Sequence, residues 1–358
     1  MAATHFDAIV IGTGQAGPAL ADRLARHGQR VAVIERDQFG GTCVNTGCIP
    51  TKTLVASAQV ARACARAAEY GVRLTTQASV DMAKVKARKD EVSGQSRAGV
   101  EQWMTDNEGI TVFRGHARFT GPRTAEVNGE TLEAGQVFVN VGGRPSTRGV
   151  EGVDTVPHLT STSILDLDVV PEHLLVVGGS YIGLEFAQMY RRFGSRVTVV
   201  EVGPWLIGRE DEHVSREVQS ILEREGIEVR LNAKCLALGR HERGVSVHLH
   251  CDGAEARIDG SHVLIAIGRQ PNTDDLGLDR AGIRTDARGY IVVDDALQPR
   301  CPGCGRWGTA TAAARSPTPP TTTTRSLPTT CSRGRSGASP TASLPMRSTS
   351  IRRSAAAA

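Results

Sequence analysis

The chain has 358 residues, 40% of them hydrophobic and 22% charged, enough for two or three domains that each bury a core. Its formal charge of +4 is local: nine arginines, with no lysine and no acidic residue, lie in residues 300–358, which leaves 33 basic against 38 acidic side chains in residues 1–299, a net of −5. A mildly acidic body argues against nucleic acid as a partner. With no basic leader and no apolar run of about twenty residues, the expectation is a soluble protein of the cytoplasm that does not engage a membrane.

In chain order, a strand is expected over Asp7–Ile11, followed by the turn Gly12-Thr13-Gly14-Gln15-Ala16-Gly17, a helix to about His27 and a strand from Arg30 to Glu35. Next comes Gly40-Gly41-Thr42-Cys43-Val44-Asn45-Thr46-Gly47-Cys48-Ile49-Pro50-Thr51-Lys52, with a helix beginning near Cys48. Leu54–Tyr70 and Asp81–Asn107 read as two helices, with Lys84, Lys86, Arg88 and Lys89 as a solvated helix face. Strand-like stretches follow at Val112–Phe119, Ala125–Val127 and Gln136–Val141, and a buried strand leaves through Gly142-Gly143-Arg144-Pro145.

The opening pattern then repeats. A strand over Leu174–Val177, the turn Gly178-Gly179-Ser180-Tyr181-Ile182-Gly183, a helix to about Phe193 and a strand ending at Glu201 reproduce it, with 23 positions from first glycine to acid in both copies. Leu264–Arg269 closes this second unit through Gly268 as Gly142 closes the first. Strand, glycine turn, helix and strand ending in an acid is the arrangement that lays a pyrophosphate on a helix N-terminus while the acid accepts ribose hydroxyls. Two copies imply two dinucleotides, the competing reading being ordinary βαβ units with tight turns. Ser180 in place of the middle glycine weakens the second copy.

Eight cysteines in a chain expected in the cytosol argue against a structural disulfide framework. Cys64, Cys235 and Cys251 read as small buried hydrophobes. Cys43 and Cys48, five positions apart at a helix start, can reach disulfide geometry, and a helix N-terminus lowers a thiol pKa. Such a pair can accept two electrons from a reduced flavin and pass them on by thiol–disulfide exchange. Zinc is the competing use, but no second Cys/His pair at suitable spacing lies in residues 1–299, so no metal is expected.

Across roughly residues 5–299, these motifs resemble class I pyridine nucleotide-disulfide oxidoreductases, the group of dihydrolipoamide dehydrogenase, glutathione reductase and mercuric reductase. GGTCVNTGCIPTKTLV, VVGGSYIGLEFAQ and GRQPNTDDLGLD are most similar to the mercuric-reductase-like members. The resemblance implies FAD and NAD as cofactors, with Cys43 as interchange thiol and Cys48 as the thiolate facing the flavin. It places Lys52 by the flavin, paired with Glu185, and Tyr181 over the nicotinamide pocket. The cofactor-binding set is then Gly12, Gly14, Gly17, Glu35, Gly41, Thr42, Lys52 and Gly142 for FAD, and Gly178, Gly179, Gly183, Glu201 and Gly268 for the nicotinamide nucleotide. Glu201 favours a free 2′-hydroxyl and hence NADH, while Arg209 keeps NADP possible. The implied acceptor is a small-molecule disulfide or Hg(II).

After Asp295 the family pattern is lost and the chain becomes rich in Pro, Thr, Ser, Ala and Arg, which reads literally as a disordered basic tail. Back-translated with permissible codons and read one base earlier, Arg300–Arg315 begins V-P-G-V-W-A-L-G-D, the flavin-binding motif the family carries there. A one-base deletion near Pro299 is therefore expected, with Cys301 and Cys304 an accident of frame. The expected fold is α/β with two Rossmann-like dinucleotide-binding domains, for FAD and NAD(P), and no C-terminal α+β dimerisation domain. The expected boundaries are an FAD domain over 1–149 with a helical pair at about 54–107, an NAD(P) domain over 150–272, a return to the FAD domain over 273–299, and the aberrant tail over 300–358. A homodimer is expected only of a full-length form, and the 358-residue chain itself is alternatively a non-catalytic flavin- or nucleotide-binding remnant.

Overall fold

A computed structural model describes residues 2–76, 78–242, 244–251 and 254–294. The expectations for residues 300–358, Cys301 and Cys304 included, lie outside the described residues, as do the side chains of Cys235 and Cys251.

The first half runs β1 (Thr4–Ile11), α1 (Gly17–Arg26), β2 (Val31–Glu35), the short α2 (Gly41–Asn45), α3 (Cys48–Ala65) and α4 (Met82–Thr105). It continues through β3 (Ile110–Arg114), β4 (Arg118–Gly121), β5 (Thr124–Val127), β6 (Glu130–Val139) and β7 (Gly143–Pro145). Ala8–Ile11 and Val31–Ile34 are continuous apolar runs because both faces of the parallel sheet are covered, one by α1 and α4 and the other by β4, β5 and the segment 276–291. The strand order is β3-β2-β1-β6-β5-β4, parallel from β3 to β6 and antiparallel beyond it. The chain winds one way from β1 and returns on the other side at β6, so the crevice between their C-terminal ends, Ile11 and Val139, is a topological switch point.

The second half runs β8 (Leu159–Thr160), β9 (His173–Val177), α5 (Tyr181–Phe193), β10 (Arg196–Val200), α6 (Glu212–Arg224) and β11 (Glu228–Arg230). An antiparallel sheet of β12 (Lys234–His241), β13 (Gly244–Cys251) and β14 (Ala254–Gly260) leads into β15 (His262–Ile265) and β16 (Arg269–Pro271). The parallel sheet here has the order β11-β10-β9-β15-β8, with its switch point between β9 and β15. The α/β class with two Rossmann-like sheets is thus present.

β7 and β16 pair antiparallel and carry the two crossings between the halves side by side. Arg144 closes this ribbon with two hydrogen bonds to Asp274, at 2.6 and 3.1 Å.

Three expectations need correction. The Val112–Phe119 stretch breaks at Gly115, where a Cβ would lie 2.4 Å from the Asn128 side chain, so β3 and β4 join opposite edges of one sheet. Lys89 is not on a solvated face: only 4% of it is exposed, because Met82, Lys89 and Ser93 fall on the buried side of α4. Cys64 is partly exposed rather than buried.

Candidate active site

The two glycine turns agree atom by atom. Gly12 (φ +98°) and Gly178 (φ +111°) hold left-handed backbone, and a Cβ on either would lie 2.5 Å from a carbonyl oxygen of the neighbouring strand end, Asn140 or Ala266. A Cβ on Gly17 or Gly183 would meet the carbonyl oxygen of Gly12 or Gly178 at 2.1 Å. Helix and strand therefore touch backbone to backbone in both copies. Gly41 completes the first turn from outside, since its Cβ would lie 2.7 Å from Gly14 Cα.

Each acid holds its turn. Glu35 Oε2 accepts Thr13 N at 2.8 Å and Thr13 Oγ1 at 2.6 Å, and Oε1 accepts Asp37 N at 3.0 Å. Glu201 Oε2 accepts Gly179 N at 2.6 Å and Oε1 accepts Gly203 N at 2.8 Å. A carboxylate has about four acceptor sites, so each keeps capacity toward a ligand hydroxyl while fixing the loop that would present it.

Cys43 lies within α2 and Cys48 begins α3; both are free thiols, Cys43 half-buried and Cys48 exposed. Burial, then the adjacent Cys48 sulfur, push the Cys43 thiol up to about 12, and a hydrogen bond from the Cys48 backbone offsets part of this. The expected lowering of a thiol pKa at a helix N-terminus does not extend to Cys43, which sits inside a five-residue helix. Lys52, one turn along α3, forms an ion pair with Glu185 of α5.

Cys43, Cys48, Thr42, Gly12, Gly14 and Gly142 line one cleft of about 1570 Å³, as do Tyr181, Arg209 and Glu210. Gly17 and Lys52 are not among its lining residues. Tyr181 is half exposed, and its hydroxyl donates to Glu210, which holds the phenol above its ordinary pKa range. Gly178, Gly179, Gly183 and Glu201 gather at the second turn, and Gly268 at the crossing behind it (φ +139°).

The cleft fits a phosphorylated dinucleotide. Its volume exceeds the roughly 300–1,000 Å³ of a small-ligand pocket. Asn140 Oδ1, Asn45 Oδ1 and Ser93 Oγ on its wall are buried without a partner, acceptors and a hydroxyl that a ligand can satisfy. Arg269 adds a cation: its guanidinium donates to Thr42 Oγ1 at 3.2 Å and to the Gly143 carbonyl, and burial lowers its pKa from the ordinary arginine range. Sequence reasoning passed over Arg269, Asn140 and Glu210. Arg269 follows Gly268 directly, and that glycine exit was the available signal for it; nothing local marks the other two.

The sequence profile of the pyridine nucleotide-disulphide oxidoreductases matches residues 6–304, and the chain belongs to this family, whose members use FAD and NAD(P)H. It is 35% identical over 300 residues to a mercuric reductase of Streptomyces lividans, covering 82% of this chain and 63% of that one. It is also 35% identical over 302 residues to a dihydrolipoyl dehydrogenase of Thermus scotoductus, covering 83% and 64%. The solved structure of the HOCl-induced flavoprotein disulfide reductase RclA from Escherichia coli superposes with a TM-score of 0.74 at 35% identity, over 85% of this chain and 66% of that one. The chain thus spans about two thirds of the length of these relatives.

Proposed function

We propose that the protein is a flavin-dependent oxidoreductase that carries electrons from NAD(P)H through FAD to the Cys43/Cys48 pair and on to an external acceptor. The observation that carries this is the shared cleft: both thiols open into the space bounded by the first glycine turn. FAD, when bound, supplies two-electron exchange between a nicotinamide and a disulfide.

The N-terminus of α1 and Arg269 would hold its phosphates, Glu35 its ribose, and Thr42 and Gly41 the approach to the cysteines. Reduction gives the Cys43–Cys48 disulfide two electrons and two protons and yields two thiols. Cys43, as interchange thiol, gives up its proton and attacks an acceptor disulfide, forming a mixed disulfide and releasing one acceptor thiol. Cys48, on the flavin side, then attacks the Cys43 sulfur, which releases the second thiol and re-forms the pair. Lys52, fixed by Glu185, places a positive charge beside this exchange. Tyr181 covers the nicotinamide pocket, and Glu201 favours NADH, with Arg209 leaving NADPH accessible.

A small-molecule disulfide, of the dihydrolipoamide kind, and Hg(II) are the acceptor classes that mercuric and dihydrolipoyl relatives suggest. Exchange chemistry of this kind suits a cytoplasm that keeps thiols reduced, and among the described residues no helix is long and apolar enough to cross a membrane. A homodimer is proposed for full-length relatives only. The second reading, a non-catalytic flavin or nucleotide binder, is favoured by the shift after Asp295 to a segment with nine arginines and no acidic residue.

The test is anaerobic: NADH is added to the purified chain with FAD, and thiols are counted before and after. Two new thiols per chain are expected in the wild type and none in Cys43→Ser or Cys48→Ser. A chain that binds flavin and gains no thiols is the remnant of the second reading.

A further inference from the structure

The two strand ends that face the glycine turns are built alike. Asn140 N donates to Ile11 O at 2.7 Å as Ala266 N donates to Val177 O at 2.8 Å, and each residue turns its carbonyl oxygen toward the first glycine of its turn, Gly12 or Gly178. Val139-Asn140-Val141-Gly142 and Ile265-Ala266-Ile267-Gly268 thus differ in kind at one place, an amide against a methyl. The fold does not require the amide, since the second copy makes the same backbone contacts without it. Only 5% of Asn140 is exposed, yet its Oδ1 has no hydrogen-bond partner among the described residues. A buried acceptor left unpaired is costly, and a fold keeps one where a ligand relieves it.

The place of Asn140 says which part of a ligand that is. Glu35 ends β2, on one side of β1, and an acid there marks the adenosine ribose. β6 lies on the other side of β1, so the half of a dinucleotide beyond the pyrophosphate runs over its end. Asn140 stands at that end and lines the cleft into which Cys43 and Cys48 open. FAD and NAD share adenosine and pyrophosphate and differ in this other half, where FAD has an open ribityl chain and NAD a closed ribose.

We propose that Asn140 is a specificity residue of the first turn: its side-chain amide takes a hydroxyl of the ribityl chain and so marks this turn for a flavin, whereas the methyl of Ala266 leaves the second turn without the contact. The inference rests on the reading above that the first turn holds FAD.

The experiment is fluorescence titration of the flavin-free 358-residue chain with FAD and with FAD analogues lacking the 2′-, 3′- or 4′-hydroxyl of the ribityl chain. ADP, which carries only the shared half, is measured as a competitor of FAD. Asn140→Ala is expected to bind FAD about five- to tenfold more weakly, the scale of one hydrogen bond to an otherwise unpaired buried group, with ADP affinity unchanged. In the wild type one of the deoxy analogues should bind more weakly than FAD by a similar factor, and in Asn140→Ala that analogue should bind as FAD does. The flavin-free variant should melt at or above the wild-type temperature, since no protein contact of Oδ1 is lost. Unchanged FAD affinity overturns the assignment, as does a variant that still separates that analogue from FAD. Equal losses for FAD and ADP, or a lowered melting temperature, also overturn it, because they mark a brace of the turn. A wild-type chain that binds no FAD overturns the flavin reading and this inference with it.

Discussion

Lys52 and Glu185 form an ion pair that joins the helix behind the cysteines to the helix behind the second glycine turn, 133 positions apart in sequence. Both side chains are partly exposed, 64% and 38%, so the pair adds at most about 1 kcal/mol to stability. Its consequence is orientation: without Glu185 the lysine is free to swing into solvent. Lys52→Ala and Glu185→Ala should melt within a few degrees of the wild type yet slow NADH-driven thiol formation by roughly 10²-fold, the scale of removing one preorganised charge. Rates within threefold of the wild type would show that the pair is only a surface contact.

The raised Cys43 thiol makes the reduced chain sensitive to alkali. Because Cys43 holds its proton up to about 12 in the fold and gives it up near 9 when unfolded, this contribution to stability is complete below about pH 9 and fades as pH rises toward 12. Denaturant melts of reduced protein should therefore weaken between pH 9 and 11 more than those of Cys43→Ser. Equal slopes for the two would contradict the burial assigned to this thiol.

Removing the Cys48 sulfur takes away the second cause of the Cys43 shift and lowers its pKa. Peptide-resolved alkylation with iodoacetamide at pH 8 should modify Cys43 severalfold faster in Cys48→Ser than in the reduced wild type. No acceleration would mean that burial alone sets the shift.

The twin glycine turns can be broken one at a time. An added methyl at Gly17 or Gly183 meets a carbonyl oxygen at 2.1 Å, which forces helix and strand apart at a cost of about 1–3 kcal/mol. Gly17→Ala should lose flavin absorbance and keep ADP-ribose binding, and Gly183→Ala should do the reverse. Loss of both ligands from either variant would show that the halves do not fold independently.

Arg269→Ala removes the donor to Thr42 and the Gly143 carbonyl together with a partly buried cation of the cleft. The purified variant should retain at least tenfold less flavin, and Arg269→Lys should not restore it, since one ammonium cannot replace a planar fork with two fixed contacts. Full retention by the lysine variant would reduce the role of Arg269 to charge alone.

Much of this architecture was legible in the sequence because it rests on short-range rules. A glycine turn followed by an acid 23 positions later fixes strand, helix and strand, and the two copies in one chain prompt the search for two sheets. The cysteine spacing likewise placed both thiols at one turn. What stayed hidden depends on contacts between distant segments. Gly115 ends a strand because Asn128 fills the space beside it, and Lys89 is buried where α4 lines the cleft within reach of Asp166. Glu210 meets Tyr181 only through the backbone of Ile207, a residue whose type argues against the conformation it adopts.

The β7–β16 ribbon bears on how the two halves move. Both connections between them leave through one two-stranded strip, cross-linked by Asn272 N to Gly142 O at 3.1 Å and by Ser146 N to Gly268 O at 3.0 Å at its ends. Two chains fastened side by side resist sliding, because a shift of one residue would break every rung at once. The ribbon has a second tie beside it, since Leu54, Ala58 and Met82 of the first half share one hydrophobic core with Leu174, Phe186 and Tyr190 of the second, so the spacing of the two glycine turns is set at two separate places, as a shelf is set by two brackets.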